Sequence, residues 1–482
     1  MSPTELTGSD VPPPTESTSS PAAARIRRPL SATTTAGGGG AVAASGVRRI
    51  CLTLPTHREC VATIAALGAE AAYAVNRFHV EVVYLILDST DAATFARHAA
   101  AVGALPAMAG LTVLHLDEKM QHGFLSEVIA RSEHPQPELL MDLMLPKAVS
   151  YGACTNRAFL TAAAMGCDSV HRRDSDIEFQ THGDGPLFPV HHELIALGRP
   201  AAEVAAHVSE VDLDPADQDK PVVTAGASYI GEMSVDIEEI KQLNPQAYHD
   251  IVSLWAAEGT SDEDKRELVA ESFTGSAGES FVQDHSVLCL VDPMRVDMGN
   301  ISYHRVHEEI PLPPMAETIG SDYFLIHLVP DSRLPGVLHN RHVINRHTPE
   351  RKTDAAFHPY HLRLAKFFLS MLYFHVIYRR MQEEGPRLLD PGHRIRSERI
   401  AAIVRESTHL DQAPNTRRLD QLERSYRTLG GRYAVFAERL RACRDQLLAE
   451  AEQDMADFAL LIDAWAPLVA AAKAAGPTPL QR

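Results

Sequence analysis

Asp174 and Asp176 stand one residue apart within the stretch Cys167–Phe179, shortly after Ser169-Val170-His171, which reads as a short strand. Glu178 follows close by. Two carboxylates at a strand end form a hard-oxygen site. Such a site suits Mg²⁺ or Mn²⁺, which bind one or two carboxylates and take their other ligands from water and substrate phosphates. In an open α/β sheet, the carboxyl ends of the strands are also where ligands collect. An isolated Asp-x-Asp is more often a pair of solvated loop acids, so its weight depends on its surroundings.

Those surroundings read as a doubly wound sheet. Ile50-Cys51-Leu52-Thr53-Leu54 is a short apolar strand, expected to stop at Pro55. Val61, Ile64, Leu67, Ala71 and Val75 then recur at helical spacing. Val82–Leu87 is an unbroken apolar run ending in Asp88-Ser89-Thr90-Asp91. Such runs belong to parallel strands covered on both faces. A helix over 92–102 and a strand over 111–116 complete a strand–helix–strand–helix–strand order, the opening of an α/β domain.

Composition narrows the partners. The 482 residues carry 45 basic and 63 acidic side chains, a formal charge of −18, which argues against a nucleic-acid partner. The six cysteines have no C-x-x-C or framework spacing, which fits reduced thiols in a cytoplasmic protein. Residues 1–46, with PPPTESTSS and TTTAGGGG, have little to bury and read as a disordered arm. Arg25-Ile26-Arg27-Arg28 is followed by no apolar core of a signal peptide. Phe367–Tyr378 is the most membrane-like stretch, yet too short to span, so no transmembrane segment is expected.

ICLTLPTHRECVATIAAL followed by VVYLILDSTDAATF resembles the start of the inverting family 2 glycosyltransferases, which have the nucleotide-sugar-binding GT-A fold. In that family the first strand ends in a Pro-Thr turn and the second in an Asp followed by Ser/Thr-Asp. A later helix containing Arg and Asn leads into a strand capped by the Asp-x-Asp. Tyr151–Arg157, a helix through Met165 and Asp174-Ser175-Asp176 supply the counterparts here. The resemblance covers roughly 48–180 and weakens toward 290. Three departures stand out: the pair reads Asn156-Arg157 in reversed order, the connection 117–150 is long, and nothing after about 300 matches.

The resemblance implies roles. Pro55, Thr56, His57 and Arg58 would line the nucleoside pocket, and Asp88 would bond the base or ribose. Ser89, Thr90 and Asp91 read equally well as helix caps. Arg157 would meet the diphosphate, its planar fork suiting phosphate oxygens, with Lys147 as a second choice. Asp174 and Asp176 would hold Mn²⁺ or Mg²⁺, Asp176 directly and Asp174 also reaching the donor. Arg172 and Arg173 would neutralise these acids or face the phosphates. Asp284, in Gln283-Asp284 before an apolar helical run, would be the general base that takes the acceptor proton. Phe273–Gly278 would be an acceptor loop. Thr224–Gly231, with Gly226 and Tyr229, would form the acceptor wall, because small residues let a sugar approach the backbone. Among the downstream histidines, His339, His342 and His347 compete as a third metal ligand, with His342 preferred and Arg341, Arg346 and Arg351 as phosphate partners.

From Tyr360 onward the pattern is helical, with a helix from Leu362, another through Leu419–Leu429 ended by Gly430-Gly431, and a third over 433–452. The expected layout is an arm at 1–46, a GT-A domain at 47–355 with a mixed Rossmann-like sheet, and a helical subdomain at 356–475. The last would pack on the sheet or pair two copies into a homodimer. The expected activity is metal-dependent transfer of a sugar from a UDP- or GDP-linked donor to a small-molecule or glycan acceptor, with inversion. The abundance of Ala, Arg and Pro fits a GC-rich bacterial source. Fold analogy does not fix function. A nucleotidyltransferase would need a Gly-rich phosphate loop that Leu54–Arg58 lacks. A catalytically inactive GT-A binding protein would tolerate loss of the carboxylates, which this chain retains.

Overall fold

The computed structural model describes residues 47–183, 185–233, 235, 237–272, 279–346 and 353–481. The arm at 1–46, the loop 273–278, His347 and Arg351 lie outside the described residues. The strands are β1 (Arg49–Thr56), β2 (Glu81–Asp88), β3 (Leu111–Leu116), β4 (Ser169–Arg173), β5 (Ile177–Phe179), β6 (Thr181–His182) and β7 (Gly185–Pro186). They continue as β8 (Glu210–Asp212), β9 (Thr224–Gly226), β10 (Tyr229–Gly231), β11 (Ser286–Cys289), β12 (Asn300–His304), β13 (Gly336–His339) and β14 (Val343–Asn345). The first helices are α1 (Val61–Phe78), α2 (Ala92–Gly103), α3 (Glu118–Ser132), α4 (Pro137–Met144), α5 (Tyr151–Ala164) and α6 (Val190–Ala196).

Nine strands form one mixed sheet in the order β3-β2-β1-β4-β12-β9-β13-β11-β8, and β10-β14-β5 form a small second sheet. The half β3-β2-β1-β4 is parallel throughout. β12 then enters antiparallel between β4 and β9. Alternation along β1 and β2 explains their unbroken apolar sequences. Ile50, Leu52, Leu54, Val82, Tyr84 and Ile86 join α1 in one core, while Cys51, Val83, Leu85 and Leu87 join α5 in another. The expectation that β1 stops at Pro55 is corrected: the strand runs to Thr56, with Pro55 opposite Leu87. Pairing with β4 has already ended at Thr53, so on that side the proline meets no partner strand and its missing N–H costs no ladder bond.

Five helices close the chain: Asp354–Glu384, Ser397–Ser407, Ala413–Leu429, Gly431–Ala442 and Arg444–Ala475. The helix expected over 433–452 is two, and the second extends to Ala475. That last helix, and not Phe367–Tyr378, is long and apolar enough to cross a membrane, yet 61% of its most apolar window is buried in the protein. It packs on α3 and α5, where Trp465 donates to the His307 carbonyl at 3.1 Å. Phe458, Trp465, Phe368 and Tyr426 share one core with Leu85 and Phe159 of the sheet region. The helical region therefore supplies the cover for one face of the sheet.

Candidate active site

The carboxyl ends of β1 and β4 open onto a cavity of about 210 Å³. Pro55, Thr56, Arg58, Arg157, Asp174 and Asp176 all line it, as do Lys147 and Arg172. A smaller cavity of about 100 Å³ adjoins it, sharing Tyr151, Arg172, Asp174 and Asp176 and adding Asp297, Asp322 and Asn345. The acid pair thus stands between two chambers.

Strand register places these groups. Asn300 of β12 pairs with Arg173 of β4, which carries Asp297-Met298-Gly299 past the strand end toward Asp174. A Cβ on Gly299 would lie 3.0 Å from Asp174 Oδ2 and 3.0 Å from Asp297 Oδ1, tighter than ordinary contact, so the two carboxylates close over a glycine whose own amide donates to Asp297 Oδ1 at 2.7 Å. β14 pairs with β5 with Asn345 opposite Ile177, and the Arg346 amide donates to the Asp176 carbonyl at 3.0 Å. The first turn of α5 is tied to the segment that delivers Asp322. Ser150 caps the helix and donates to the Pro314 carbonyl at 3.0 Å, and the Gly152 amide donates to Ser321 Oγ at 3.2 Å. Gly152 is required there, since a Cβ would stand 1.9 Å from the Pro313 carbonyl oxygen. Asn156 clamps Leu312 through both backbone groups, at 2.8 and 2.7 Å.

Acids and guanidiniums are paired across the two chambers. Arg58 Nη1 donates to Asp176 Oδ2 at 2.8 Å. Arg172 bonds Asp174 Oδ1 at 3.1 Å and also holds Asp322. Four carboxylates, Asp174, Asp176, Asp297 and Asp322, therefore gather around two guanidiniums, Arg58 and Arg172, while Lys147 and Arg157 add positive charge to the wall of the larger chamber. Arg363, also in the wall, pairs with Glu317 at 3.6 Å. Burial, and then the charge of Asp174, push Asp297 up to about 7. Arg157 is anchored in the wall, donating from Nε to Gln121 at 2.8 Å and from Nη1 to the Met144 carbonyl at 2.7 Å.

Other expected site residues lie elsewhere. Asp88 continues the even face of β2 and turns under the sheet, where its side chain is fully buried. Its Oδ2 accepts from His98 Nδ1 at 2.7 Å and His115 Nε2 at 2.8 Å, and Oδ1 accepts from the Thr90 amide and hydroxyl. Burial works to raise its pKa, but the bonds from His115, Thr90 and His98 hold it well below the usual range. It lines neither chamber. Asp91 is the N-cap of α2, accepting from the Ala93 and Thr94 amides at 2.9 Å each.

Asp284 is corrected as well. It precedes strand β11 instead of a helix, and it accepts both Arg341 Nε and Nη2 at 2.8 Å and His192 Nε2 at 3.1 Å. Burial is overcome by these bonds and by the Arg341 charge, which keep its carboxyl far below the usual range. Asp284 lines neither chamber, so it is not placed to take a proton from a group bound in them. His342 lies just before β14 and lines neither chamber, whereas Asn345 of β14 lines the smaller one. His339 is buried in β13, stacked on His192 at 5.3 Å. Gly226 sits inside the sheet, where a Cβ would lie 3.1 Å from the Asn300 carbonyl. Tyr229 belongs to β10, paired with Val343. Neither forms a chamber wall. Asp297, Asp322 and Asn345 were missed, because they sit in segments whose sequence carries no motif.

Asp88, His98 and His115 bring ligand atoms within 4.8 Å of one another, close enough for a metal ion. The Cys60 amide decides against it. That N–H donates to His98 Nε2 at 3.0 Å, so the ring proton sits on Nδ1, the atom a metal would need bare. The cluster is a hydrogen-bonded brace behind the Thr56 turn.

No curated protein matches the sequence. A solved structure titled "Crystal Structure of a Mycobacterial Protein" is similar with a TM-score of 0.32 and 14% identity, over 69% of this chain and 74% of that one, a likeness too slight to support any argument. The model of the Family of unknown function (DUF6271) matches residues 48–481, and the chain belongs to that family.

Proposed function

We propose that the protein is a metal-dependent glycosyltransferase of GT-A type, moving a sugar from a UDP- or GDP-linked donor onto an acceptor with inversion. One observation carries the reading: Asp174 and Asp176 stand at a strand end between two chambers, one lined by arginines and a helix N-terminus, the other by further acids. In this reading the larger chamber takes the donor. Pro55 and Thr56 would border the nucleoside, while Lys147 and Arg157 would face the diphosphate. The clustering of acids at the strand end fits a divalent cation, Mn²⁺ or Mg²⁺, which Asp174 and Asp176 would hold with Asp297 nearby. When bound, it would supply Lewis-acid neutralisation of the departing diphosphate. Arg58 would release Asp176 toward the cation and turn to the phosphates.

The smaller chamber takes the acceptor. Asp322, oriented by Arg172, is the acid of that chamber outside the proposed cation set, and it would accept the hydroxyl proton. The test is turnover: the protein is incubated with UDP- and GDP-sugars and Mn²⁺, and release of nucleoside diphosphate is followed. The proposal expects release with one nucleotide class, falling at least 100-fold in Asp176→Asn. Release that is equal in that variant, or cleavage of nucleoside triphosphates alone, would refute it.

A further inference from the structure

A third cavity, of about 370 Å³, meets the smaller chamber at Gly320 and Tyr323, next to Asp322 in the chain. Its walls are mainly aromatic and aliphatic, including Trp255, Phe367, Met371, Tyr378 and Leu268. Trp255 and Phe367 meet edge to face at 5.6 Å, and His327 stacks on Tyr378 at 3.9 Å. His327 and His375 also line it, and burial pushes each down to about 4, so both are neutral at physiological pH. The acid in its wall, Asp264, is exposed on a helix that buries none of its residues. A chamber of this size, with an apolar lining and few polar groups, is the usual setting for a small organic ligand. Flat aromatic walls favour a flat partner, through offset or edge contacts.

Resting on the transferase reading, we infer that this groove seats the flat, apolar body of the acceptor, with its nucleophilic hydroxyl turned past Tyr323 toward Asp322. A sugar acceptor would find too few hydrogen-bonding groups here to replace its water, and burying unpaired hydroxyls is costly. A flat aromatic alcohol places its apolar faces against the rings and needs one polar contact at the far end.

The protein carries its own reporter. Of the two tryptophans, Trp255 lines the groove and Trp465 is wholly buried in the core. Emission of the full chain is followed during titration with 1-naphthol, with decanol and with glucose. The mouth variants Leu268→Asp and Met294→Asp are titrated in parallel; Met294 is 59% exposed, so its replacement disturbs no core. The inference expects a saturable response to 1-naphthol, weaker for decanol and absent for glucose, with affinity for naphthol about tenfold lower in both variants. An equal or stronger response to glucose or decanol, no saturation, or unchanged affinity in both variants would overturn it. Thermal shift by UDP and GDP with Mn²⁺ is recorded on the same samples. It reads the donor chamber alone, so a lost nucleotide shift with intact naphthol binding counts against the transferase reading and not against the groove.

Discussion

Asp174 and Asp297 face each other across the place where Gly299 has no side chain, each with an oxygen 3.0 Å from where a Cβ would be. β4 and β12 bring them together from 123 residues apart in sequence, through the pairing of Arg173 with Asn300. Gly299→Ala should press a methyl group against both carboxylates while leaving the backbone conformation permitted, since Gly299 is not among the positive-φ glycines. Mn²⁺ titration followed by thermal shift should then show a midpoint at least tenfold higher than wild type. An unchanged midpoint would place the cation elsewhere.

Arg58 is the present counter-charge of Asp176, at 2.8 Å, with side chains only 15% and 7% exposed. Removing one member of a half-buried pair leaves the other under-solvated. Arg58→Ala should cost about 1–3 kcal/mol in urea unfolding without metal. Saturating Mn²⁺ should recover part of that loss, because a cation would replace the guanidinium beside Asp176. A loss that Mn²⁺ leaves untouched would count against a shared position.

The brace of Asp88, His98 and His115 should behave as structure. Asp88→Asn puts an amide donor where N–H and O–H donors converge, which should cost about 2–3 kcal/mol. EDTA should leave the wild-type melting temperature unchanged in the absence of added metal, and elemental analysis should find no stoichiometric zinc. Bound zinc would show that the His98 ring proton sits on the other nitrogen.

Much of this was legible in the sequence, and the limits have physical causes. The β1–α1–β2–α2–β3 order and the Asp174-Ser175-Asp176 strand end follow from local periodicity, so they could be read directly. Arg58, Arg157 and Asp176 converge because parallel strands share one carboxyl edge. Asp88 lies off the chamber because strand parity, invisible until the covering helices are known, turns it toward His98. Asp284 and His342 failed because β11, β13 and β14 pair over long sequence separations, and their loops carry no periodic signal. Asp297 and Asp322 had no motif. Their only sequence trace is the acid-then-glycine spacing of Asp297 and Gly299.

Asp454, on the last helix, gives a pH prediction free of the site. Burial raises its carboxyl to about 7 in the folded protein, against 3.8 for a free aspartate. Below about pH 4 both states hold the proton and nothing is lost. As pH rises from about 4 to about 7, the unfolded chain ionises first, so stability falls, by up to about 4 kcal/mol and less where water reaches the half-buried group. Asp454→Asn should therefore raise the melting temperature at pH 8 and leave it nearly unchanged at pH 4. Equal shifts at both values would show that burial does not hold the proton there.

The central claim is that the cavity beside Asp174 and Asp176 holds a nucleoside diphosphate through a divalent cation. The direct measurement is a thermal-shift panel of UDP, GDP and their sugar conjugates, with and without Mn²⁺, on wild type and Asp176→Asn. A ligand bound only by the folded state raises the melting temperature by mass action. The account predicts a rise with one diphosphate class that requires Mn²⁺ and disappears in the variant. No shift with any diphosphate, or one that persists in Asp176→Asn, would contradict it.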